Sequence, residues 1–185
     1  MDHYVDLNLL PDPEFPIPTL MNALFAKLHR VLVQLNSSDI GVSFPAIAQH
    51  HLGNVLRLHG SKSALEKLMQ QSWLTGMRDH TEVGGLLPVP ASAGYCRVAR
   101  VQAKSNAERL RRRYQKRHPN ESSDAVKQLM PDSIERRLEL PFIRLKSLSS
   151  GQDFPLFIRQ QPAADKQAGL FNTYGLSQSA TLPLF

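Results

Sequence analysis

The sequence predicts an α+β protein made of two consecutive domains. The first half alternates segments in which every second residue is apolar, as in strands, with segments of 3.6-residue apolar periodicity, as in helices. Residues 87–94 (LPVPASAG) are rich in proline and small residues and precede a shift to strongly basic sequence. Such a stretch is typical of a domain boundary, so we expect one domain over residues 1–90 and another over residues 95–185.

The first domain is expected to begin with a strand and a long helix. Val5, Leu7 and Leu9 alternate with polar residues, which predicts a half-buried strand. Beyond a proline-rich loop, Thr19 is a natural N-cap for a helix that continues to about residue 36. One face of this helix is apolar and should pack on the core: it consists of Leu20, Leu24, Leu28, Val31, Leu32 and Leu35.

The remaining elements of the first domain complete a recognisable order. Strands are expected over residues 40–44 and 55–59, and a fourth strand between residues 79 and 89. Ser61 is predicted to cap a short helix that ends near residue 70. The order β-α-β-β-α-β is that of the ferredoxin-like split motif which RNA-recognition (RRM-like) folds share. The sequence therefore predicts an N-terminal ferredoxin-like domain.

The second domain is predicted to be smaller, with an arginine-rich helix and a β-hairpin. Ser105 and Glu108 form a capping-box pattern that opens a helix over residues 106–117, and His118-Pro119 closes it. The other elements expected are an extended segment over 95–102, a helix near 123–130, a hairpin of residues 142–147 and 154–159 around a turn at 149–152, and a last strand over 171–177.

Composition excludes several classes of protein. At 42% hydrophobic and 21% charged residues, the 185-residue chain is expected to fold into a soluble protein. No apolar run approaches the roughly 18 residues needed to span a bilayer, and the N-terminus lacks a signal pattern, so we expect a cytosolic protein that does not bind membranes. The single Cys96 excludes an intramolecular disulfide and a cysteine-cluster zinc site, and it is expected to be a part-buried, inert thiol.

Positive charge is concentrated in one short segment. Residues 100–118 contain eight arginines and lysines against the lone acid Glu108, a net charge of +7, whereas the whole chain carries +6. On a helical wheel one arc of about 140° holds Arg109, Arg112, Arg113, Lys116 and Arg117, with Leu110 and Tyr114 on an apolar edge. A solvated helix usually interleaves acids for ion pairing, so this pattern favours a nucleic-acid contact over a solvated surface.

Histidines are the candidate catalytic groups. His29 is expected at the boundary of the apolar face of the first helix, where a lone histidine is more often structural than catalytic. RNA can nevertheless be cleaved without metal when a histidine deprotonates the 2′-hydroxyl. His50, His51 and His59 have no acid nearby at ligand spacing, so a metal site is not expected. Serine-hydrolase, phosphate-loop and dinucleotide motifs are absent from the sequence, and we expect no cofactor.

Five blocks in the same order resemble the CRISPR-associated type I-F pre-crRNA endoribonucleases, the repeat-processing nucleases of that system. The likeness covers nearly the whole chain. The blocks are residues 1–4 (MDHY) with 11–16 (PDPEFP), 27–29 (KLH), 40–45 (IGVSFP), 100–106 (RVQAKSN) running into the arginine helix, and the pair 149–152 (SSGQ) with 174–177 (YGLS).

This resemblance implies residue roles. His29 would be the general base, Ser147 would hold the ribose whose 2′-hydroxyl attacks, and Tyr174 would orient the histidine or the nucleophile. Arg100 and Gln102 would read a guanine and an adenine edge, in line with the usual pairings. The other RNA-binding residues would be Lys104, Asn106, Arg109, Arg112, Arg113, Lys116, Arg117, His118 and Ser149, with Phe154 stacking on the terminal base pair. Without the resemblance, Ser147 would be interpreted as a surface serine and the two aromatics as core residues.

The function expected from the resemblance is metal-independent cleavage of pre-crRNA on the 3′ side of the repeat stem-loop, by attack of the 2′-hydroxyl. The enzyme would stay bound to the mature crRNA and join the other subunits of the type I-F surveillance complex. One alternative is a non-catalytic RNA-hairpin-binding subunit of a ribonucleoprotein, which differs in whether His29, Ser147 and Tyr174 converge on one phosphate. A basic ribosomal-type protein is the third possibility, although such proteins more often carry lysine-rich tails and both termini here are non-basic.

Overall fold

A computed structural model describes residues 1–102, 107–131, 138–147 and 151–185. The chain divides into two compact units: the first unit comprises residues 1–101 and 140–185, and the second unit residues 102–139. The elements are β1 (His3–Leu9), α1 (Ile17–Gln34), β2 (Gly41–Ser43), β3 (Val55–Gly60), α2 (Lys62–Met69), a 3-10 turn (Arg78–His80), β4 (Thr81–Val83), β5 (Leu87–Pro88), β6 (Gly94–Val101), α3 (Ala107–Arg117), α4 (Ser123–Leu129), β7 (Phe142–Lys146), β8 (Asp153–Ala163) and β9 (Leu182–Leu184).

The first unit contains two antiparallel sheets. In the first sheet the order is β2-β3-β1-β4, with β5 also paired to β1, and Tyr4 lies opposite His59. In the second sheet the order is β7-β8-β6-β9. The strands of the two sheets come from the two predicted domains, 1–90 and 95–185, yet both sheets belong to one compact unit. The α+β class is confirmed, and the predicted domain boundaries stay a prediction.

One apolar core serves both sheets of the first unit. The predicted apolar face of α1 is buried except for the half-buried Leu35, and each such leucine or valine stabilises the fold by roughly 1.5–3 kcal/mol. Close packing between the sheets requires Gly41, because a Cβ there would lie 2.5 Å from Leu182 Cδ2 and 2.8 Å from Phe171 Cε1. In the same unit α1 and β7 are neighbouring elements, and the candidate site depends on both.

The second unit is built around the pair α3 and α4. Ala107 and Val126 are its buried side chains among the described residues. Arg111 Nε–H donates to the Met130 carbonyl over 2.8 Å, so this arginine is used within the unit. Leu110 and Tyr114, the predicted apolar edge of α3, are half-buried.

Most predicted elements are observed, and two predictions are wrong. Thr19 is not the N-cap of α1: Pro16 occupies that position without a side-chain hydrogen bond, and the helix begins at Ile17. Residues 171–177 form a turn instead of a strand, and the last strand is β9. The Ser61 cap is confirmed, since its hydroxyl accepts from Ala64 N–H over 3.2 Å. Ser105 of the predicted capping box lies outside the described residues.

Candidate active site

The three residues expected to catalyse RNA cleavage line one cavity of the first unit. This cavity, called here the His29 cavity, has a volume of about 680 Å³. Its lining comes from the middle of α1, the end of β7, the start of β8 and the turn over residues 172–176. The lining residues are Ala26, His29, Arg30, Leu145, Lys146, Ser147, Gly151, Phe154 and Tyr174. The structure thus brings together His29 and Tyr174, which lie 145 positions apart in the sequence.

The hydrogen bond of His29 defines its tautomer. The ring is half-buried, and its Nδ1 lies 2.8 Å from the Thr173 carbonyl oxygen. A carbonyl accepts hydrogen bonds and does not donate them, so Nδ1 carries the proton and donates it. In the neutral ring Nε2 therefore bears the lone pair, as a general base requires. The Tyr174 ring stacks on the imidazole, with ring centroids 4.0 Å apart and planes inclined by 15°.

A tight turn over residues 172–176 holds both partners of His29. Asn172 Oδ1 accepts from the backbone N–H of Tyr174 over 2.9 Å and from that of Leu176 over 3.2 Å. Gly175 has φ +70°, a left-handed conformation that glycine adopts at little cost. Its carbonyl accepts from Val42 N–H over 3.0 Å, which fastens the turn to β2. The turn consequently fixes the Thr173 carbonyl and the Tyr174 ring on the first sheet.

Ser147 and Phe154 reach the cavity from the hairpin of β7 and β8. Ser147 N–H donates to the Gln152 carbonyl over 2.9 Å, and Gly151 N–H donates to the Ser147 carbonyl over 2.8 Å. These bonds place the half-buried Ser147 at the end of β7, facing the cavity. Phe154 is partly buried against the core, as expected for a core aromatic, yet it also lines the cavity.

Two cations in the cavity lining were missed from the sequence. Arg30 and Lys146 are exposed and line the cavity, and none of the described lining residues is acidic. Each follows or precedes a predicted site residue directly, Arg30 after His29 and Lys146 before Ser147. That adjacency was the available signal. A cavity with two cations and no acid favours a bound anion such as a phosphate.

The predicted base-reading residues lie at the end of β6. Arg100 is half-buried and Gln102 is exposed. The Arg100 carbonyl accepts from Gln178 Nε2 over 2.8 Å, which ties this strand end to the segment before β9. Neither residue lines the His29 cavity. Three further predicted RNA-binding residues, Lys104, Asn106 and Ser149, lie outside the described residues.

The predicted cationic arc of α3 faces solvent. All five of its members are exposed: Arg109, Arg112, Arg113, Lys116 and Arg117. Arg112 pairs with Glu108 one turn earlier, so part of the charge is compensated within the helix. His118 is exposed and its ring stacks on Tyr114 at a centroid distance of 4.3 Å. The described residues thus present a polycationic surface on the second unit, the arrangement that polyanion binding requires.

His59 and Cys96, two other groups considered from the sequence, are buried in the structure. His59 is buried and shares a 2.8 Å hydrogen bond with Ser43, and burial lowers the pKa of His59 to about 3. Cys96 is fully buried, beyond the part-burial expected, and burial raises the pKa of its thiol to about 11. The described residues include no cluster of three or more histidines, cysteines and acids suited to a metal ion. None of their helices combines the length and apolarity needed to cross a membrane.

Comparison with known proteins identifies a family for this chain. Residues 4–185 match the model of the CRISPR-associated protein family Cas_Csy4. The CRISPR-associated endonuclease Cas6/Csy4 of Pseudomonas aeruginosa (strain UCBPP-PA14) is 47% identical over 188 residues, and the match covers all of both chains. The CRISPR-associated endonuclease Cas6/Csy4 of Escherichia coli (strain UTI89 / UPEC) is 46% identical over 186 residues, again with both chains fully covered.

Proposed function

Because the chain belongs to the Cas_Csy4 family of CRISPR-associated endoribonucleases, we propose that it cleaves pre-crRNA on the 3′ side of the repeat stem-loop without a metal ion. The observation that carries the proposal is the His29 cavity, in which the imidazole donates from Nδ1 to Thr173 and keeps the Nε2 lone pair for a substrate proton. The cavity has the size and the cationic lining that a ribose and its phosphate need.

The reaction that fits these residues is an internal transesterification. His29 Nε2 takes the proton of the 2′-hydroxyl upstream of the cut, and the resulting oxygen attacks the adjacent phosphorus. The bond to the 5′-oxygen of the next nucleotide breaks, and that oxygen takes up a proton from water. The protonated His29 returns its proton to water, so that the reaction is balanced. The products are a 2′,3′-cyclic phosphate and a 5′-hydroxyl.

Four neighbours have supporting roles in this proposal. Ser147 holds the ribose by its hydroxyl, and Tyr174 keeps the imidazole plane in place by stacking at 4.0 Å. Arg30 and Lys146 face the same cavity and stabilise the negative charge that develops on the phosphate oxygens. These cations would contribute most in the transition state, because the charge is greatest there.

Recognition of the RNA is proposed to use other surfaces. The exposed arc of α3 would bind the phosphates of the stem, with Lys104, Asn106, His118 and Ser149 adding contacts, and Arg100 and Gln102 would read base edges. Phe154 would stack on the terminal base pair.

A ferredoxin-like first domain is supported by the sheet order β2-β3-β1-β4 with two helices. After cleavage the enzyme would retain the crRNA hairpin as a subunit of the type I-F surveillance complex.

Cleavage of a repeat hairpin in EDTA tests this function. The products should be a 2′,3′-cyclic phosphate, or its hydrolysed form, and a 5′-hydroxyl fragment, resolved by mass spectrometry. A single 2′-deoxy substitution upstream of the cut should abolish cleavage and leave the dissociation constant nearly unchanged, since it removes the nucleophile and few contacts. A strict Mg²⁺ requirement, or cleavage of the deoxy RNA, would contradict the proposed mechanism.

A further inference from the structure

A second cavity lies on the same two elements as the His29 cavity. This Phe142 cavity has a volume of about 910 Å³, near the upper end of the roughly 300–1,000 Å³ that ligand pockets occupy. Its lining comes from the first turns of α1, residues 50–54 and β7. Phe142 and Arg144 of β7 line it, whereas Lys146, two residues further along the same face of the strand, lines the His29 cavity. The two cavities therefore follow one another along β7.

The two cavities also follow one another along the helix α1. Asn22 lines the Phe142 cavity and His29 lines the His29 cavity. They are seven positions apart in the helix, about 10 Å along its axis, a length that a few nucleotides of single strand span. Asn22 Oδ1 accepts from Arg144 N–H over 2.9 Å, so α1 and β7 are joined beside the Phe142 cavity. The two elements together form a continuous wall from one cavity to the other.

The chemistry of the Phe142 cavity suits single-stranded nucleic acid. Arg144, His50 and His51 are exposed in its lining, and no acid is among the described lining residues. Phe142 is 44% exposed and lies against Phe157 at a centroid distance of 5.5 Å, which supports its ring from one side. A cation beside a supported aromatic ring is the combination that binds one phosphate and one stacked base of a single strand.

We propose that the Phe142 cavity is a subsite for the single-stranded RNA immediately downstream of the scissile phosphate. The inference rests on the proposed endoribonuclease function. Phe154, the proposed stacking partner of the stem, lies opposite Leu145 near the end of β7, and Phe142 lies at its beginning. A strand that leaves the stem base at Phe154 and passes His29 is therefore directed along β7 towards Phe142. The upstream flank comes from the other strand of the stem and does not pass the scissile phosphate.

The test compares the binding of two uncleavable RNA hairpins with a 2′-deoxy nucleotide before the cut. One ends a single nucleotide beyond the cleavage site, and the other continues for six nucleotides. By fluorescence anisotropy the wild-type protein should bind the longer RNA about tenfold more tightly, the effect of about one stacked base with its phosphate. The double variant Phe142→Ala/Arg144→Ala should reduce this ratio to below twofold and leave the affinity for the shorter RNA unchanged.

Lys67→Ala is the matched control, because Lys67 is an exposed cation of the first unit that lines neither cavity. It should keep the wild-type ratio. Extending the hairpin at its 5′ end should affect the wild type and the double variant equally. If the wild type binds and cuts a short ribose substrate yet shows no preference for the longer RNA, the inference is overturned. If the wild type binds neither hairpin, the proposed function itself fails.

Discussion

Gly175→Ala tests whether the turn over residues 172–176 positions the catalytic groups. At Gly175 φ is +70°, and a Cβ there would lie 2.7 Å from Val42 Cγ1 and 3.3 Å from Val42 N. Val42 is fully buried on β2, so its side chain has no open space to enter. The turn also carries the Thr173 carbonyl that accepts from His29 and the Tyr174 ring that stacks on it. The added methyl group therefore acts directly on the support of His29.

Two contributions determine how much stability Gly175→Ala should lose. An alanine in the left-handed conformation costs about 1–2 kcal/mol relative to glycine, and overpacking of the core costs about 1–3 kcal/mol. If the turn keeps its place, the free energy of unfolding should fall by about 2–5 kcal/mol, the sum of these two ranges. If the turn moves to relieve the overlap, stability falls less, but a displacement of about 1 Å at the catalytic groups can slow the reaction about 100-fold.

The assay needs a control glycine that has the same backbone conformation without the close approach. Gly76 has φ +74° and no atom within 4 Å of the added Cβ, and it does not line the His29 cavity. Gly76→Ala should lose only the stability that the left-handed backbone conformation costs an alanine, and it should cleave at the wild-type rate. Urea unfolding gives the stability of each variant, and single-turnover cleavage at a temperature where both are folded gives the rate.

The outcome that would refute the positioning argument is a Gly175→Ala protein that matches Gly76→Ala in both stability and cleavage rate. Binding of a 2′-deoxy hairpin separates a positioning defect from a binding defect. The dissociation constant should stay near the wild-type value, because the turn contributes to the transition state more than to the bound ground state.

Three further predictions concern catalysis, RNA affinity and pH. His29→Ala should lower the single-turnover rate by roughly 10²–10⁴-fold with nearly unchanged affinity for deoxy RNA, and Ser147→Ala should lower it less; a near-wild-type rate for His29→Ala would exclude its role as the base. Changing Arg113 and Lys116 to glutamine should flatten the plot of log binding constant against log salt concentration, by about one unit of slope for each phosphate that the variant no longer binds. An unchanged slope would show that these two side chains do not bind phosphates. His59 has its pKa lowered by burial to about 3, so at pH 5 the unfolded chain binds a proton that the folded chain does not. The stability that comes from burying a neutral His59 is present above about pH 6.5 and declines below it, by about 2 kcal/mol between pH 7.5 and 5. When the free energy of unfolding is measured with urea, it should fall by about this much less in His59→Gln than in the wild type over the same pH range.

Local sequence patterns predicted most of the secondary structure, because periodicity records which side chains face the core. The face of α1, the Ser61 cap and the hairpin of β7 and β8 were all predicted in this way. The start of α1 was not. Pro16 already has φ −63° and ψ 147°, and Pro18 lacks an N–H that would need a partner, so the helix starts before Thr19 without a polar cap. Thr19 is a favourable cap residue, but the two prolines allow the helix to begin before it.

The turn over residues 172–176 was beyond such reasoning for a different reason. Phe171 and Leu176 are apolar and buried, which looks like a strand, but their burial comes from packing against distant parts of the chain. The bonds from Val42 to Gly175 and from His29 to Thr173 join residues more than 130 positions apart. Arg30 and Lys146 adjoin predicted site residues in the sequence, but periodicity does not show that α1 and the end of β7 meet at one cavity, so their shared location was missed.

The division of the chain into units allows binding and chemistry to be separated by mutation. The exposed arc of α3 belongs to the second unit, whereas His29, Ser147 and Tyr174 belong to the first. Phosphate binding by the arc would stabilise bound RNA and the transition state alike, so removing these cations should raise KM with little effect on kcat. The bond from His29 to Thr173 matters only when a proton is transferred, so breaking it should lower kcat. A variant of the arc that lowers kcat at saturating RNA would mean that the arc also helps to orient the scissile phosphate, and the proposed separation of roles would then be wrong.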